Sequence, residues 1–190
     1  MKKDKLSKQA KAEALFNLGT YYDEGIGVEK NEIDAAKWFR KSAELGHVQA
    51  AFKLAVAYAR GLGVEQSSVD AVTWYRKAAR KGHVGAQYNL GYYCASGLGR
   101  RQSYAEAARW YLKAAGQGHA WAQWSLGNLY RKGRGVAQDS AEAVKWYRLA
   151  AEQGNQDARL SLRACCEEGW VKKKDLQKTC RRSRKEKNHA

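Results

Sequence analysis

The chain has 190 residues with 18 Gly, 7 Trp, 11 Tyr and no Pro, and its formal net charge is +16. That length allows one domain with a sizeable core, and the lack of proline suits a chain that is helical almost throughout, because proline breaks the i→i−4 ladder. The opening "MKKDKLSKQAKAEALF" has no apolar run behind its charges, and no stretch approaches the ~20 apolar residues of a membrane span, so neither a secretory leader nor a span is expected.

Residues 1–11 read as a basic lead-in to the first helix. From there one pattern returns every 36 residues. A first helix carries Ala14, Ala50, Ala86 and Ala122, then Leu18, Leu54, Leu90 and Leu126, then Tyr22, Tyr58, Cys94 and Tyr130. Spacings of i, i+4 and i+8 place these on one face. A Gly-x-Gly turn follows, from Gly25, Gly61, Gly97 and Gly133 to Gly27, Gly63, Gly99 and Gly135. Asn31, Ser67, Ser103 and Asp139 then stand as N-caps, with Asp34, Asp70, Glu106 and Glu142 three residues on, the pattern of a reciprocal cap.

The second helix carries Ala35, Ala71, Ala107 and Ala143, the tryptophans Trp38, Trp74, Trp110 and Trp146, and the rings Phe39, Tyr75, Tyr111 and Tyr147. Gly46, Gly82, Gly118 and Gly154 end it, where a left-handed residue is expected. Only Gly85 and Gly116 of the 18 glycines fall outside the register. One helix pair cannot bury such faces alone, but stacked pairs can. The fold class is therefore all-α: a solenoid of antiparallel helix pairs with a 36-residue period.

A fifth unit is degenerate. Ala158, Leu162, Cys166 and Gly169 keep the register and Asp175 falls at the N-cap position, but Arg182 takes the tryptophan's place, as suits a solvated capping end. The expected organisation is a lead-in (1–11), a solenoid (12–169, with repeats 12–47, 48–83, 84–119, 120–155 and a partial 156–169), and a basic tail (170–190) that Asp175 is placed to make part helical.

Units such as "AQYNLGYYCASGLG" followed by "AEAARWYLKAAGQGH" resemble the Sel-one-like repeat (SLR), a relative of the tetratricopeptide repeat, over residues 12 to about 169. The resemblance implies a right-handed superhelix acting as a scaffold or adaptor, often in bacterial signalling, host interaction or complex assembly. Cysteine-rich secreted members carry paired cysteines within each repeat. Here Cys94, Cys165, Cys166 and Cys180 show no such pairing, which points to a reducing, cytoplasmic setting.

In tetratricopeptide-like solenoids the first helices line the concave side. The face opposite the Ala/Leu/Tyr stripe then offers Phe16, Asn17 and Thr20, Phe52, Lys53 and Val56, Tyr88, Asn89 and Tyr92, and Trp121, Trp124 and Asn128 as candidate partner-binding residues. Aromatics among polar residues suit a peptide. The Phe16, Phe52, Tyr88 and Trp124 series is itself in register, so packing between neighbouring first helices is the competing reading. Trp121 breaks the pattern of its position and suggests a local role.

No nucleophile with a base is visible, and the Gly-x-Gly turns precede no phosphate-binding signature, so no catalytic residue, cofactor or enzyme activity is expected. His47, His83 and His119 repeat one unit apart, too far for one metal ion, and Asn155 takes the fourth place; they read as turn or helix-starting residues. The tail from Trp170 to Ala190 holds nine Lys or Arg against two acids, with Lys172, Lys173, Lys174, Arg181, Arg182, Arg184 and Lys185 as candidate polyanion contacts. It lacks interleaved aromatics for base stacking, so the expected partner of this monomer is a protein or peptide, an acidic one suiting the charge, with nucleic acid less favoured.

Overall fold

Residues 2–171 are described by the structure, a computed structural model. Among them are nine helices and no strand: α1 (Lys2–Glu24), α2 (Glu32–Glu44), α3 (Val48–Arg60), α4 (Ser68–Arg80), α5 (Val84–Ser96), α6 (Tyr104–Gly116), α7 (Ala120–Lys132), α8 (Ser140–Glu152) and α9 (Gln156–Glu167). The architecture is an all-α solenoid. The chain forms two compact units, Met1–Gln102 with α1 to α5 and Ser103–Ala190 with α6 to α9. Among the described residues no helix is long and apolar enough to cross a membrane.

Second helices start where the polar pattern places them. Asn31, Ser67, Ser103 and Asp139 are extended, and their side chains accept from the backbone N–H of Asp34, Asp70, Glu106 and Glu142. The reciprocal half of the cap differs from expectation. The N–H of Asn31, Ser67 and Asp139 is donated to the carbonyl of Tyr22, Tyr58 and Tyr130 at 2.9, 2.9 and 3.1 Å, so the acid finds no cap N–H to accept. Asp34 takes a bond from the Asn31 side-chain amide instead, at 3.0 Å, and its charge still favours the positive end of the helix.

In the pairs α1/α2 and α7/α8, the helices meet where a ring lies on a glycine; α3 has Ala55 at that position. A Cβ at Gly127 would stand 2.7 Å from the Tyr147 ring, and one at Gly19 the same distance from Phe39. Between pairs the second turn glycine is the close point. Gly63 has φ 66°, and a Cβ there would lie 2.0 Å from the carbonyl oxygen of Glu32, at the start of the preceding second helix. In the first unit Ala50, Leu54, Ala86, Leu90 and Cys94 are wholly buried. In the second, Ala143, Val144, Tyr147, Ala150, Ala151, Ala158, Leu162 and Cys165 form one core cluster.

Three placements differ from the sequence pattern. Ala14 is exposed and Leu18 and Tyr22 are only half-buried, whereas Ala12 and Gly19 of α1 are buried. No described helix precedes α1 to cover the stripe that is buried in α3 and α5. Of the four second-helix tryptophans only Trp74 is buried. The ammonium groups of Lys41, Lys77 and Lys113, one turn further on, sit 4.1, 3.7 and 4.6 Å from the centroids of Trp38, Trp74 and Trp110. The deeper anchors are the neighbouring rings Phe39, Tyr75, Tyr111 and Tyr147. Finally, packing runs past Gly169: Val171 is buried in the second unit's cluster and Trp170 packs against it.

Gly127→Ala tests the ring-on-glycine contact. Alanine gains about 1 kcal/mol of helix propensity over glycine, but the methyl meets a ring that has nowhere to go. The expected net result is a loss of about 1–3 kcal/mol in chemical denaturation. Gly116→Ala is the control: at this exposed helical glycine a Cβ meets nothing, and a gain of about 0.4–1 kcal/mol is expected.

Candidate functional site

Phe16, Phe52 and Trp124 of the aromatic series on the first helices are built into joints between pairs. Phe16 stacks on His47 with ring centroids 4.5 Å apart, and Phe52 on His83 at 4.2 Å. Each also touches the ring of its own pair's second helix, Phe39 at 5.8 Å and Tyr75 at 6.0 Å. Both phenylalanines are half-buried. The histidines are N-caps of the next first helix: Nδ1 of His47, His83 and His119 accepts from the N–H of Ala50, Ala86 and Ala122. Since Nδ1 accepts, the ring proton lies on Nε2. Nε2 of His47 donates to the Glu13 carboxylate and that of His83 to Oε1 of Gln49, both at 2.9 Å.

The joint at Asn155, in the second unit, lacks the imidazole. Asn155 keeps the cap, its Oδ1 accepting from Ala158 N–H at 2.8 Å, but offers no ring. Trp124 then packs edge-on against Trp121, with centroids 5.9 Å apart and planes at 87°, and its Nε1 donates to Ser161 Oγ. Trp121 stands at the repeat position of Glu13 and Gln49, the residues that bond the next histidine. Its departure from pattern thus accompanies the loss of that histidine, and its indole is left 47% exposed.

The remaining candidates divide into bound and available groups. Tyr88 is half-buried, and burial raises the pKa of its hydroxyl. Thr20 Oγ1 donates to the Phe16 carbonyl at 3.1 Å, and Lys53 pairs with Asp23 at 2.9 Å. Asn89 is half-buried near the hydroxyl of Tyr75, and Asn128 accepts from that of Tyr147 at 2.8 Å. Burial pushes both tyrosine hydroxyls up to about 12. Val56 is half-buried and Asn17 exposed. Tyr92 is 48% exposed with its edge against Tyr93. Tyr92 in the first unit and Trp121 in the second are therefore the aromatic faces among the twelve most open to a partner. Lys172, Lys173, Lys174, Arg181, Arg182, Arg184 and Lys185 lie outside the described residues.

A cleft of about 590 Å³ in the first unit is lined by Lys8, Glu13, His47, Gln49 and Lys81, among others. Of its two lysines, Lys81 donates to the carbonyl of Gly46 at 2.7 Å. Among the described residues no group of three His, Cys, Asp or Glu side chains is placed to hold a metal. Cys94, Cys165 and Cys166 are free thiols, and burial pushes the first two to higher pKa, which suppresses thiolate chemistry.

The model of the Sel1 repeat family matches residues 12–47, 48–83, 84–119 and 122–155. The chain belongs to the Sel1 repeat family. Two solved structures extend that likeness. A Sel1 repeat protein from Oxalobacter formigenes is 36% identical, with a TM-score of 0.84 over 92% of this chain and 73% of that one. The protective antigen c5321 of uropathogenic Escherichia coli, described as displaying an SLR fold, is 32% identical with a TM-score of 0.85; 95% of this chain matches 39% of that one. At 21% identity, cysteine rich protein B of Helicobacter pylori shares the fold alone, with a TM-score of 0.52 over 65% of this chain and 93% of that one. No curated protein matches the chain. Sel1 repeat proteins are in general scaffolds for protein interaction and typically not enzymes.

The histidine joints carry a pH prediction. Burial lowers the pKa of His83 and His119, and the cap needs an unprotonated Nδ1. Below the ordinary histidine pKa of about 6.5 the unfolded chain binds protons that the folded chain refuses, so stability falls as pH drops. The contribution is complete above that value and lost on the acid side. The melting temperature of this Sel1 repeat protein is expected to fall between about pH 7.5 and about pH 5.5, and the double variant His83→Asn/His119→Asn to show a flatter pH profile, since asparagine caps without titrating.

Proposed function

We propose that this Sel1 repeat protein is a non-enzymatic scaffold that holds a peptide or protein segment against the outward faces of its first helices. The observation carrying the reading is the half-exposed indole of Trp121, fixed on a helix by its edge contact with Trp124. A large ring with little rotamer freedom is the kind of side chain that dominates binding at protein interfaces. Tyr92 offers a comparable ring in the first unit, with Asn17, Lys53 and Val56 as neighbouring positions on that face. The charge of +16 favours an acidic partner. The free thiols of Cys94, Cys165 and Cys166 fit a reducing cytoplasm, and the bacterial sources of the two structures above support a bacterial setting.

A second reading rests on the tail. Its nine Lys or Arg against two acids favour a polyanion such as nucleic acid, held through residues including Lys172, Lys173, Lys174, Arg181, Arg182, Arg184 and Lys185.

Affinity capture from the host lysate separates the two readings, with the full chain and a chain ending at Val171 as baits, with and without nuclease. The scaffold reading expects the same proteins on both baits regardless of nuclease. It also expects Trp121→Ala to weaken their binding about 30-fold, the effect of a 2 kcal/mol hot spot, with stability unchanged within about 0.5 kcal/mol. Capture that disappears with the tail or with nuclease establishes the second reading instead.

A further inference from the structure

Helix α1 departs from the other first helices in length, cover and charge. It runs for 23 residues, where α3, α5 and α7 each have 13. At about 1.5 Å per residue it is about 34 Å long. Its buried side, Ala12 and Gly19, faces the rest of the first unit. The opposite side presents Ala10, Ala14, Leu18 and Tyr21, at i, i+4, i+8 and i+11. All are exposed except the half-buried Leu18. The equivalents of Ala14 and Leu18 in α3 and α5, Ala50, Leu54, Ala86 and Leu90, are wholly buried. Core-type residues thus occupy a face that no described helix covers.

The charges of α1 are segregated by sign, and in the sense that its own dipole opposes. The exposed Lys8 and Lys11 stand in the first half; Glu13, Asp23 and Glu24 stand in the second half with no cation. Cations at the N-terminal end of a helix and acids at the C-terminal end are both unfavourable. Most other helices run the ordinary way: α2, α4, α6, α8 and α9 carry acids in the first turn, and α2, α3, α4, α6 and α7 carry bases in the last, while α5 carries neither. Asp23 is held by Lys53, and Glu13 by His47, which leaves the exposed Glu24 and the carbonyl end of the helix as the negative pole.

We propose that α1 is a self-association helix: a second copy of the chain lays its own α1 antiparallel against the uncovered face, forming a two-fold dimer. A helix with one sign of charge at each end is complementary to itself when reversed. The cationic half of each copy then meets the acidic half of the other, and the two dipoles oppose. A two-fold contact also repeats every pairing twice. A register that sets Ala14 against Leu18 of the second copy sets Leu18 against Ala14 of the second copy, small against large at both places. This assigns a dimer where the sequence pattern suggests a monomer, and it stands apart from any peptide bound through Tyr92 or Trp121.

Sedimentation velocity of the full chain, from about 2 to about 200 µM at low and high salt, tests the proposal. The expected result is a dimer that dissociates on dilution and is weakened by salt. Ala14→Glu should abolish it while leaving the thermal melt in place, since Ala14 is exposed and helical. Glu24→Lys should raise the dissociation constant at least about tenfold at low salt while leaving the high-salt value nearly unchanged. A monomer at every concentration in low salt overturns the proposal. So does a dimer that survives both substitutions, which would place the contact on another surface.

Discussion

A buried tyrosine ring lying on a glycine backbone, Tyr147 on Gly127, sets the spacing on which the rest of the repeat depends. The hypothetical Cβ at 2.7 Å shows how little room separates the two helices of that pair, and Phe39 on Gly19 repeats the distance. From this approach the other contacts follow. The carbonyl of the first-helix tyrosine comes within 2.9 to 3.1 Å of the N–H that opens the second helix. That bond takes over what a reciprocal cap would otherwise do, and it ties the helix start to the partner helix rather than to its own sequence. Helices of 13 residues are too short to persist alone in water. Their stability comes from stacking, to which the ring-on-glycine contact contributes; in α3 the same position is the wholly buried Ala55.

The joint between pairs rests on one residue with several roles. His47 caps α3, stacks on Phe16 and bonds Glu13, so a single imidazole links the two pairs of the first repeat boundary. At Asn155 the cap survives and the other two roles lapse. The surface responds: Trp124 turns to Ser161 and Trp121 comes to its edge. At this joint the exposed face differs from that beside His47 and His83 while the helix start is kept. This is how a repeat can vary its outer surface without losing its stack, and it places the candidate binding ring beside a structural substitution rather than on a dedicated loop.

Much of this was readable from residue types because it is local. N-caps, left-handed glycines and helix lengths depend on a few neighbours in sequence, and Asn31, Ser67, Ser103 and Asp139 stand where the pattern put them. Burial was less legible. Whether Ala14 is core depends on a helix that must come from elsewhere, and nothing within α1 reports whether one covers it. The tryptophans looked like anchors by size, yet a lysine one turn on covers the rings of Trp38 and Trp110 and keeps the face amphipathic. That W-x-x-K spacing was present to be read. On the candidate face, the engagement of Asn128 with the Tyr147 hydroxyl could not be inferred, because the bond joins two helices whose relative rotation no spacing rule supplies.

The two ends of the repeat series are finished by different means. In α9 the small residue that admits the second-helix ring gives way to Arg163, which is exposed. Thirty-six residues after Tyr147 the ring itself gives way to Ser183. Each loss removes the need for the other: without a ring there is nothing for a glycine to admit, and with an arginine there is no room for a ring. The pairing chemistry has been withdrawn from both sides at once. In α1 the opposite holds. Gly19 and Phe39 still meet, and Ala14, Leu18 and Tyr22 remain residues of a stacking face that no described helix covers. An end that retains them, on a helix whose charges run against its own dipole, is the one with a physical reason to find a partner.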